Sequence, residues 1–238
     1  MNRQSLIHEL KQQYLSVGIL ASPWLEFNQT LTILKNHKLN ILHFDIADGN
    51  FSPLFTVGSI AIKQFSQDYF KDVHLMVNNQ QEVVEDCVKN GANIIILQVE
   101  NRDNLLKTLQ GIRSQYNTYK GNEYSVLAGL SLFPETELSL LNEYINNVDV
   151  IQLLTLNPIT GKKFDANFIS NRIQELWSIF GNKLDNKIIS IDGAMTLEMA
   201  NYLSKHCKVN WFVSGSALFK TGLNSNLQEW REIKNNLH

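Results

Sequence analysis

The stretch that decides the fold runs from Lys71 to Val99: KDVHLMVNNQQEVVEDCVKNGANIIILQV. Its two short apolar runs, KDVHLMV and NIIILQV, flank a segment whose apolar residues recur at intervals of three and four. The short runs are typical of strands buried on both faces of a parallel sheet, and the middle segment is typical of a helix with one buried stripe. KNGAN at 89–93 marks the end of that helix. The stretch therefore predicts a strand, a helix and a second strand.

The same alternation extends over the rest of the chain. Eight short apolar runs, most of them rich in valine, isoleucine or leucine, alternate with longer amphipathic segments. The runs are LSVGILAS, NILHFDI, KDVHLMV, NIIILQV, YSVLAGLSL, VDVIQLLTL, KIISI and VNWFVSG. This order predicts an α/β fold, a (β/α)8 TIM barrel that forms a single domain over residues 1–238.

Two segments fall outside this alternation. Residues 1–14 predict an extra N-terminal helix before the first strand, and the polar stretch 115–124 is expected to be a loop. An open doubly wound sheet is the alternative fold. No G-x-G-x-x-G motif follows the first strand to support the dinucleotide site that often accompanies such a sheet.

The composition argues against several classes of function. Lysine and arginine number 21 against 23 aspartate and glutamate, so the formal net charge of −2 gives no general attraction to nucleic acid or to an acidic membrane. Cys87 and Cys207 form neither a zinc-binding spacing nor a disulfide framework, and we therefore expect a reducing, cytoplasmic environment. The N-terminus lacks the apolar stretch of a signal peptide, and no run of about 18 apolar residues predicts a membrane span.

Polar side chains stand near the predicted carboxyl ends of three strands. His43 and Asp45 lie two residues apart on the second strand, so they face the same side of it. His74 lies on the third strand, and Asp192 ends the seventh. In a TIM barrel these strand ends meet at the face where active sites are built. Two imidazoles and two carboxylates form a donor set for one divalent metal ion such as Zn, Fe, Mn or Co.

Each of these residues has a simpler interpretation when it is taken alone. A His-x-Asp pair is more often hydrogen-bonded than metal-binding, and His74 alone is typical of a satisfied core histidine. The four together favour a metal, because an apolar interior does not accommodate two carboxylates without a cation or a proton. A metal that chelates a ketone and its neighbouring hydroxyl stabilises an enediolate, while the two aspartates can remove and return a proton on opposite faces. This predicts inversion at a carbon beside a carbonyl.

Glycine-containing stretches follow the last two predicted strands. DGA follows the seventh strand and SGSALF the eighth, so Gly193, Gly215 and Ser216 can present backbone N–H groups to a phosphate. Taken alone, either stretch is more typical of a plain tight turn.

At these motifs the chain resembles the ribulose-phosphate 3-epimerase family, including its relative allulose-6-phosphate 3-epimerase. The resemblance covers about residues 18–219 and rests on LHFDIADGNFSP, DVHLMV, NGAN, NP…GKKF, IDGA and VSGSALF, in family order. It implies a TIM barrel that epimerises a ketose phosphate through an enediolate, with Asp45 and Asp192 as the acid/base pair. The metal ligands it implies are His43, Asp45, His74 and Asp192. The phosphate contacts it implies are Gly193, Ala194, Gly215 and Ser216.

The chain departs from the family pattern around the substrate. Ala47 stands where the family has a methionine, and Leu154 takes the place of a second, whereas Met76 keeps the third. Ser22 takes the place of the family's substrate-contacting serine if one residue is deleted after it, and an ungapped match puts Ala21 there. Ala194 replaces the second glycine of the family's D-G-G.

The largest departure is the loop NPITGKKF at 157–164, which is shorter than the family's N-P-G-F-G-G-Q-K-F by one residue and loses two glycines. Gly161 remains as a substrate-binding candidate. Lys162 or Lys163 can contact phosphate there, although a solvated lysine is the simpler interpretation.

The resemblance implies a metal-dependent 3-epimerase of D-ribulose 5-phosphate, with allulose 6-phosphate or a non-catalytic sugar-phosphate-binding barrel as alternatives. A ketose phosphate is the expected partner, and homo-oligomerisation stays open. A related class, the phosphate-barrel decarboxylases, uses an Asp-x-Lys-x-x-Asp array. Here the corresponding stretch is Asp45-Ile46-Ala47-Asp48, without the lysine.

Overall fold

Eight strands of the computed structural model close into a parallel barrel, and the structure describes residues 3–237. In this part of the chain the strands are β1 (Leu15–Gly18), β2 (Ile41–Ala47), β3 (Phe70–Met76), β4 (Ile94–Gln98), β5 (Tyr116–Tyr119), β6 (Asn122–Ser125), β7 (Leu127–Leu132), β8 (Val150–Leu154), β9 (Ile188–Asp192) and β10 (Trp211–Ser214). The barrel follows the closed order β1-β10-β9-β8-β7-β4-β3-β2. The predicted TIM barrel is confirmed. The open sheet is wrong, because β1 pairs with both β10 and β2.

Helices cover the outside of the barrel. In the described residues they are α1 (Arg3–Leu10), α2 (Phe27–Asn36), α3 (Gln80–Lys89), α4 (Leu105–Arg113), α5 (Ala166–Phe180), α6 (Leu197–His206), α7 (Ser216–Phe219) and α8 (Leu223–Trp230). The crossover from β2 to β3 carries a 3-10 segment, Ser59–Gln64, and that from β7 to β8 carries Leu138–Glu143 and Ile145–Asn147. None of the helices in residues 3–237 has the length and apolar character that a membrane span requires.

The stretch 115–124 is not the loop that its polarity predicts. It forms most of the antiparallel hairpin of β5 and β6, and the polar residues occupy its outer positions. Tyr119 and Tyr124 are buried, and the Tyr119 ring packs edge-on against Phe70 with 5.2 Å between ring centroids. The prediction was wrong because two tyrosines are a weak local signal, while their contact with the barrel is a tertiary one.

The hairpin and α1 together close the floor of the barrel, by which we mean the apolar layer at the amino ends of its strands. The helix predicted over 1–14 begins at Arg3 and ends at Leu10; Met1 and Asn2 lie outside the described residues. Its buried side chains Leu6, Ile7 and Leu10 join the hairpin tyrosines in one cluster. The barrel side chains of this cluster are Ile41, Phe70, Ile94, Ile96, Leu127, Val150, Ile188 and Trp211. Burial of each large side chain here contributes about 1.5–3 kcal/mol.

A buried ion pair fastens α1 to the floor. Arg3 donates to Asp149 Oδ2 at 2.5 Å and to the backbone oxygen of Arg113 at 2.7 Å. Arg113 lies 3.4 Å from the other oxygen of Asp149, and Ala128 N–H also donates to this carboxylate. The buried Asp149 carboxylate at the floor is therefore matched by two fixed cations.

Above the floor, the inward positions of the strands become polar. This layer lies below the mouth, by which we mean the carboxyl ends of the barrel strands. Its buried members are Ser16, Asp72, Gln98, Ser131, Gln152 and Ser190. The barrel interior thus changes along its axis from apolar at the floor to polar beneath the mouth.

Candidate active site

His43 and Asp45 on β2, His74 on β3 and Asp192 on β9 bring their side chains together at the mouth. One ligand atom from each lies within 4.8 Å of all the others. Asp45 Oδ1 is 3.3 Å from His43 Nε2 and 3.2 Å from His74 Nδ1. Asp192 Oδ2 lies 3.7 Å and 3.6 Å from the same two nitrogens. Strand alternation and barrel closure therefore bring the four predicted ligands to one point.

Buried partners hold the two imidazoles on their far sides. His43 Nδ1 shares a 2.8 Å hydrogen bond with Asp72 Oδ2, which also accepts a bond from the Ser16 hydroxyl. His74 Nε2 lies 2.6 Å from the side-chain amide of Gln98. These contacts leave His43 Nε2 and His74 Nδ1 directed at the two carboxylates. Outer partners of this kind fix the ring orientation and tautomer of metal-binding histidines.

The two aspartates differ in how firmly they are held. Asp192 is 11% exposed at its side chain; Gln152 donates to its Oδ2 at 3.0 Å, and Gly193 N–H donates to its Oδ1 at 2.5 Å. The Asp45 side chain is 40% exposed, and its hydrogen bonds to described residues all involve Oδ1. Asp45 therefore offers its second oxygen to the mouth, while Asp192 is held at both oxygens.

The charge distribution of the cluster requires positive charge at its centre. Asp45, Asp72 and Asp192 form ion pairs with His43 and His74 alone among the described residues. Burial opposes the charged form of both imidazoles, but the neighbouring carboxylates outweigh it and raise the pKa of His43 well above its usual range. They raise the pKa of His74 as well. Burial also opposes ionisation of Asp45, but the two histidines hold its pKa below the usual range.

The residues of the cluster fit a divalent cation. Two imidazole nitrogens and two carboxylate oxygens converge within a few ångströms, and the opposite nitrogen of each ring already has a buried partner. A cation among these donors balances the carboxylates without protonation of the histidines, since neutral imidazole is the form that binds metal. Nitrogen and oxygen donors in this number accept several first-row metals, so the donor set does not select one ion.

A cleft of about 300 Å³ opens above the four residues. Several predicted substrate-binding residues line it: Met76, Gly193, Ala194, Gly215 and Ser216. Leu154, which replaces a family methionine, also lines the cleft, whereas Ala47 is buried beside it, with its N–H bonded to Thr56 Oγ1. The polar groups of the cleft thus lie beneath an apolar wall.

The backbone on the phosphate side of the cleft is closely packed. A Cβ atom on Gly18 would lie 2.9 Å from the Cα of Gly215, so only glycine allows β1 and the turn after β10 to approach this closely. Gly193 has φ +95°, which favours glycine, and Ala194 has φ +42° in the left-handed region that L-residues with a Cβ rarely adopt. The alanine that replaces a family glycine is therefore strained.

Two predicted substrate-binding residues lie elsewhere. The Ser22 hydroxyl is buried in a 2.7 Å hydrogen bond with Thr30 Oγ1, and Ala21 lines the cleft instead. The structure thus gives Ala21 the position that an ungapped match assigns to the substrate-contacting serine. Gly161 lies in the turn of the 157–164 loop, where its N–H donates to Asn157 O, and it does not line the cleft. Lys162 in this loop lies 3.5 Å from Glu135.

The residues that hold three of the four ligands were not predicted from the sequence. Asp72, Gln98 and Gln152 each contact one of them and are fully buried. Strand alternation gives a partial signal for Asp72, since it lies two residues before His74 and faces the same side. No local signal identifies the glutamines, because their partners lie on other strands.

The fold and the site together define a class: a TIM-barrel protein whose mouth holds two histidines and two aspartates with the donor chemistry of a divalent-metal site. A lysine is absent from the described residues that line the cleft, and Asp48 instead accepts backbone N–H groups of Asn50, Phe51 and Asn78. The decarboxylase array therefore has no counterpart in this part of the chain.

Comparisons with known proteins agree with this class. The model of the ribulose-phosphate 3 epimerase family matches residues 14–219. The chain is 38% identical to the Salmonella paratyphi A protein named "Putative epimerase LsrE", over 98% of this chain and 92% of that protein. It is 29% identical to ribulose-phosphate 3-epimerase of Treponema pallidum, over 89% and 93% of the two chains. The chain belongs to the ribulose-phosphate 3-epimerase family, and it is accordingly an epimerase of the isomerase class.

Solved structures support the fold alone. KGPDC from Streptococcus mutans superposes with a TM-score of 0.61 at 11% identity, over 94% of this chain and 97% of that chain. A 3-keto-L-gulonate-6-phosphate decarboxylase from Vibrio cholerae gives a TM-score of 0.61 at 10% identity, over 89% and 93%. Similarity at this identity indicates a shared barrel fold and does not indicate the reaction, which depends on the residues of the site.

Proposed function

We propose that the protein catalyses the 3-epimerisation of D-ribulose 5-phosphate to D-xylulose 5-phosphate, with Asp45 and Asp192 as the two proton carriers. The observation that carries this proposal is the convergence of the two carboxylates on the same pair of imidazole nitrogens. They come from β2 and β9, which are separated by two strands in the barrel order, so they approach the cleft from different sides. Inversion at carbon needs an acid and a base on opposite faces.

In the forward direction one aspartate takes the proton from C3 and the other delivers a proton to the opposite face of C3. The C3–H bond breaks, a new C3–H bond forms, and no electron leaves the substrate, so the reaction needs no redox cofactor. In the reverse direction the two aspartates exchange roles. Asp45, with its free oxygen and partial exposure, is placed to exchange its proton with solvent between turnovers.

The remaining residues orient the substrate and stabilise charge. A divalent ion held by His43, Asp45, His74 and Asp192 would supply Lewis-acid stabilisation of the negative charge that develops on the substrate oxygens. Backbone N–H groups contributed by Ala194, Gly215 and Ser216 would hold the phosphate, whereas the Gly193 N–H already donates to Asp192 Oδ1. The apolar wall of the cleft, which includes Met76, Leu154, Leu156 and Met195, would exclude water from the reacting carbon.

A related substrate, allulose 6-phosphate, is the second candidate. The observation that favours it is a change around the cleft, where Leu154 in the cleft wall and Ala47, buried beside the cleft, take the places of family methionines. A shorter side chain at the edge of a cleft can admit a longer sugar, and specificity of this kind changes with single side chains.

The test is a screen of D-ribulose 5-phosphate against allulose 6-phosphate in deuterium oxide, with metal content measured on the same sample. We expect incorporation of deuterium at C3 together with epimer formation, and we expect a chelator to abolish both. If metal-replete protein incorporates deuterium into neither ketose phosphate, both proposed substrates are wrong. A higher kcat/KM for allulose 6-phosphate than for D-ribulose 5-phosphate would overturn the choice of substrate and leave the proposed epimerisation in place.

A further inference from the structure

A buried glutamine touches the carboxylate of Asp192 from inside the barrel. Gln152 on β8 is 0% exposed, and its amide nitrogen donates to Asp192 Oδ2 at 3.0 Å. The same oxygen is the one that faces His43 Nε2 and His74 Nδ1. An uncharged donor therefore contacts the oxygen that would bind the metal.

The orientation of this amide follows from hydrogen-bonding chemistry. An ionised carboxylate only accepts hydrogen bonds, so the amide nitrogen of Gln152 has to face Asp192. The amide oxygen then faces the Ser190 hydroxyl at 3.4 Å, and Ser190 lies opposite Gln152 in the β8–β9 register. Ser190, Gln152 and Asp192 thus form a short chain of donors and acceptors.

Two donors on its two oxygens fix the plane of the Asp192 carboxylate. Gln152 holds Oδ2 and Gly193 N–H holds Oδ1, so rotation about the bond to the carboxylate would break both bonds. The histidines have comparable partners in Asp72 and Gln98. A fully buried amide in a barrel core costs free energy unless its hydrogen bonds are made, so packing alone does not account for a glutamine at this position.

We propose that Gln152 is a positioning residue for Asp192, which holds Oδ2 toward the metal-binding centre and keeps the carboxylate aligned with the cleft. Gln152 does not line the cleft, so it acts through Asp192 and not through contact with substrate. Its loss therefore weakens metal binding and slows turnover, and it leaves substrate affinity nearly unchanged. The expected loss of metal affinity follows from the geometry, and the expected loss of turnover rests on the proposed function.

The experiment compares Gln152→Leu with wild type. Leucine has a similar volume and carries no polar group, so the variant removes the donor to Asp192 and leaves only the Ser190 hydroxyl, a long 3.4 Å contact, without its acceptor. Chelator-treated protein is titrated with Co²⁺, and binding is followed by visible absorption. We expect affinity for Co²⁺ to fall by roughly 10–100-fold, the usual effect of removing an outer partner of a metal ligand. We expect kcat on D-ribulose 5-phosphate to fall in parallel, with KM nearly unchanged.

Ser131→Ala is the matched control. Ser131 lies on β7 in register with Gln152, is equally buried, and its hydroxyl has no hydrogen-bond partner among the described residues. Its substitution should leave Co²⁺ affinity and kcat near the wild-type values. A loss in this variant equal to that of Gln152→Leu would mean that any polar change in the layer disturbs the site, and it would overturn the specific role of Gln152.

A second variant covers the case in which Gln152→Leu does not fold, as judged by circular dichroism. Ser190→Ala removes only the group that faces the Gln152 amide oxygen, so it should produce a smaller loss of Co²⁺ affinity in the same direction. If Gln152→Leu folds, wild-type affinity for Co²⁺ in that variant overturns the proposal. If it does not fold, wild-type affinity in Ser190→Ala overturns it. Co²⁺ binding needs no substrate, so an epimerase screen that fails would overturn the proposed function without touching this result.

Discussion

The mouth and the floor of the barrel both bury carboxylates, and they neutralise them in different ways. At the floor, Asp149 is paired with the guanidinium groups of Arg3 and Arg113, which stay charged at every accessible pH. At the mouth, the ion pairs that Asp45 and Asp192 form within residues 3–237 are all with imidazoles, whose charge can be lost. The floor therefore has a permanent charge balance, whereas the mouth has one that a metal ion or a substrate can replace.

The comparison separates stability from chemistry. The floor is sealed by α1 and the hairpin, and its ion pair fastens the helix to the strands. The mouth has a cleft above the carboxylates, and one of them is 40% exposed. Substitutions at the floor should thus change the free energy of unfolding, and substitutions at the mouth should change turnover.

The largest expected effect is at the mouth. Asp45→Asn and Asp192→Asn should each lower kcat by roughly 10²–10⁴-fold, because each removes a proton carrier and a ligand charge together. The measurement is deuterium incorporation at C3 in both directions, with metal content determined for each variant. Near-normal turnover of either variant with metal bound would show that the two-aspartate scheme is wrong.

The next effect is at the floor. Asp149→Asn should lower the free energy of unfolding by about 3 kcal/mol, because it leaves two largely buried guanidinium groups without a counter-charge. Urea denaturation measures the change, and kcat should stay near the wild-type value. The matched control is Glu143→Gln, whose pair with Arg102 is more than half exposed and should contribute little to stability. Equal losses in the two variants would contradict the importance of burial.

A buried lysine at the floor should make the free energy of unfolding depend on pH in the alkaline range. Burial lowers the pKa of Lys187 to about 8, although Asp149 opposes the shift, and its ammonium group donates to Val148 O at 2.7 Å. In the unfolded chain Lys187 keeps its proton up to the ordinary lysine pKa. Between the folded and unfolded pKa values the unfolded state therefore binds more protons, and stability rises with pH.

The measurement is the difference in free energy of unfolding between wild type and Lys187→Met at about pH 8 and about pH 10, which bracket most of this window. We expect this difference to move in favour of wild type by about 1–2 kcal/mol as pH rises. Groups common to both proteins cancel in the comparison. A difference that is independent of pH would mean that Lys187 keeps an ordinary pKa in the fold.

The smallest effect concerns strain at the mouth. Ala194→Gly should raise the free energy of unfolding by about 0.5–1 kcal/mol, because glycine adopts φ +42° without the steric cost that alanine has. This net gain already allows for the greater conformational entropy of glycine in the unfolded chain, which opposes it. Thermal unfolding measures the change. A lower melting temperature would indicate that the alanine methyl group stabilises the turn by contacts that outweigh its strain.

Much of the fold and the four candidate metal ligands could be predicted from the sequence. The eight apolar runs gave the barrel strands, and the spacing of His43 and Asp45 placed both side chains on one face of β2. The hairpin of β5 and β6 was missed, because its polar surface hides two tyrosines whose partners belong to the barrel floor. Ser22 was a substrate-binding candidate only if one residue is deleted after it, and its hydroxyl bonds to Thr30, whereas Ala21 of the ungapped match lines the cleft.

The sequence by itself determined the periodicities, and with them the barrel and the residues at the ends of its strands. These are local properties, since side-chain direction along a strand or helix follows from neighbours in the chain. Only the tertiary structure decided which imidazole nitrogens face the carboxylates, and that Gln152 holds Asp192 while Asp45 stays partly free. Those contacts join residues far apart in the chain, and they depend on strand register and barrel closure, which no local pattern specifies.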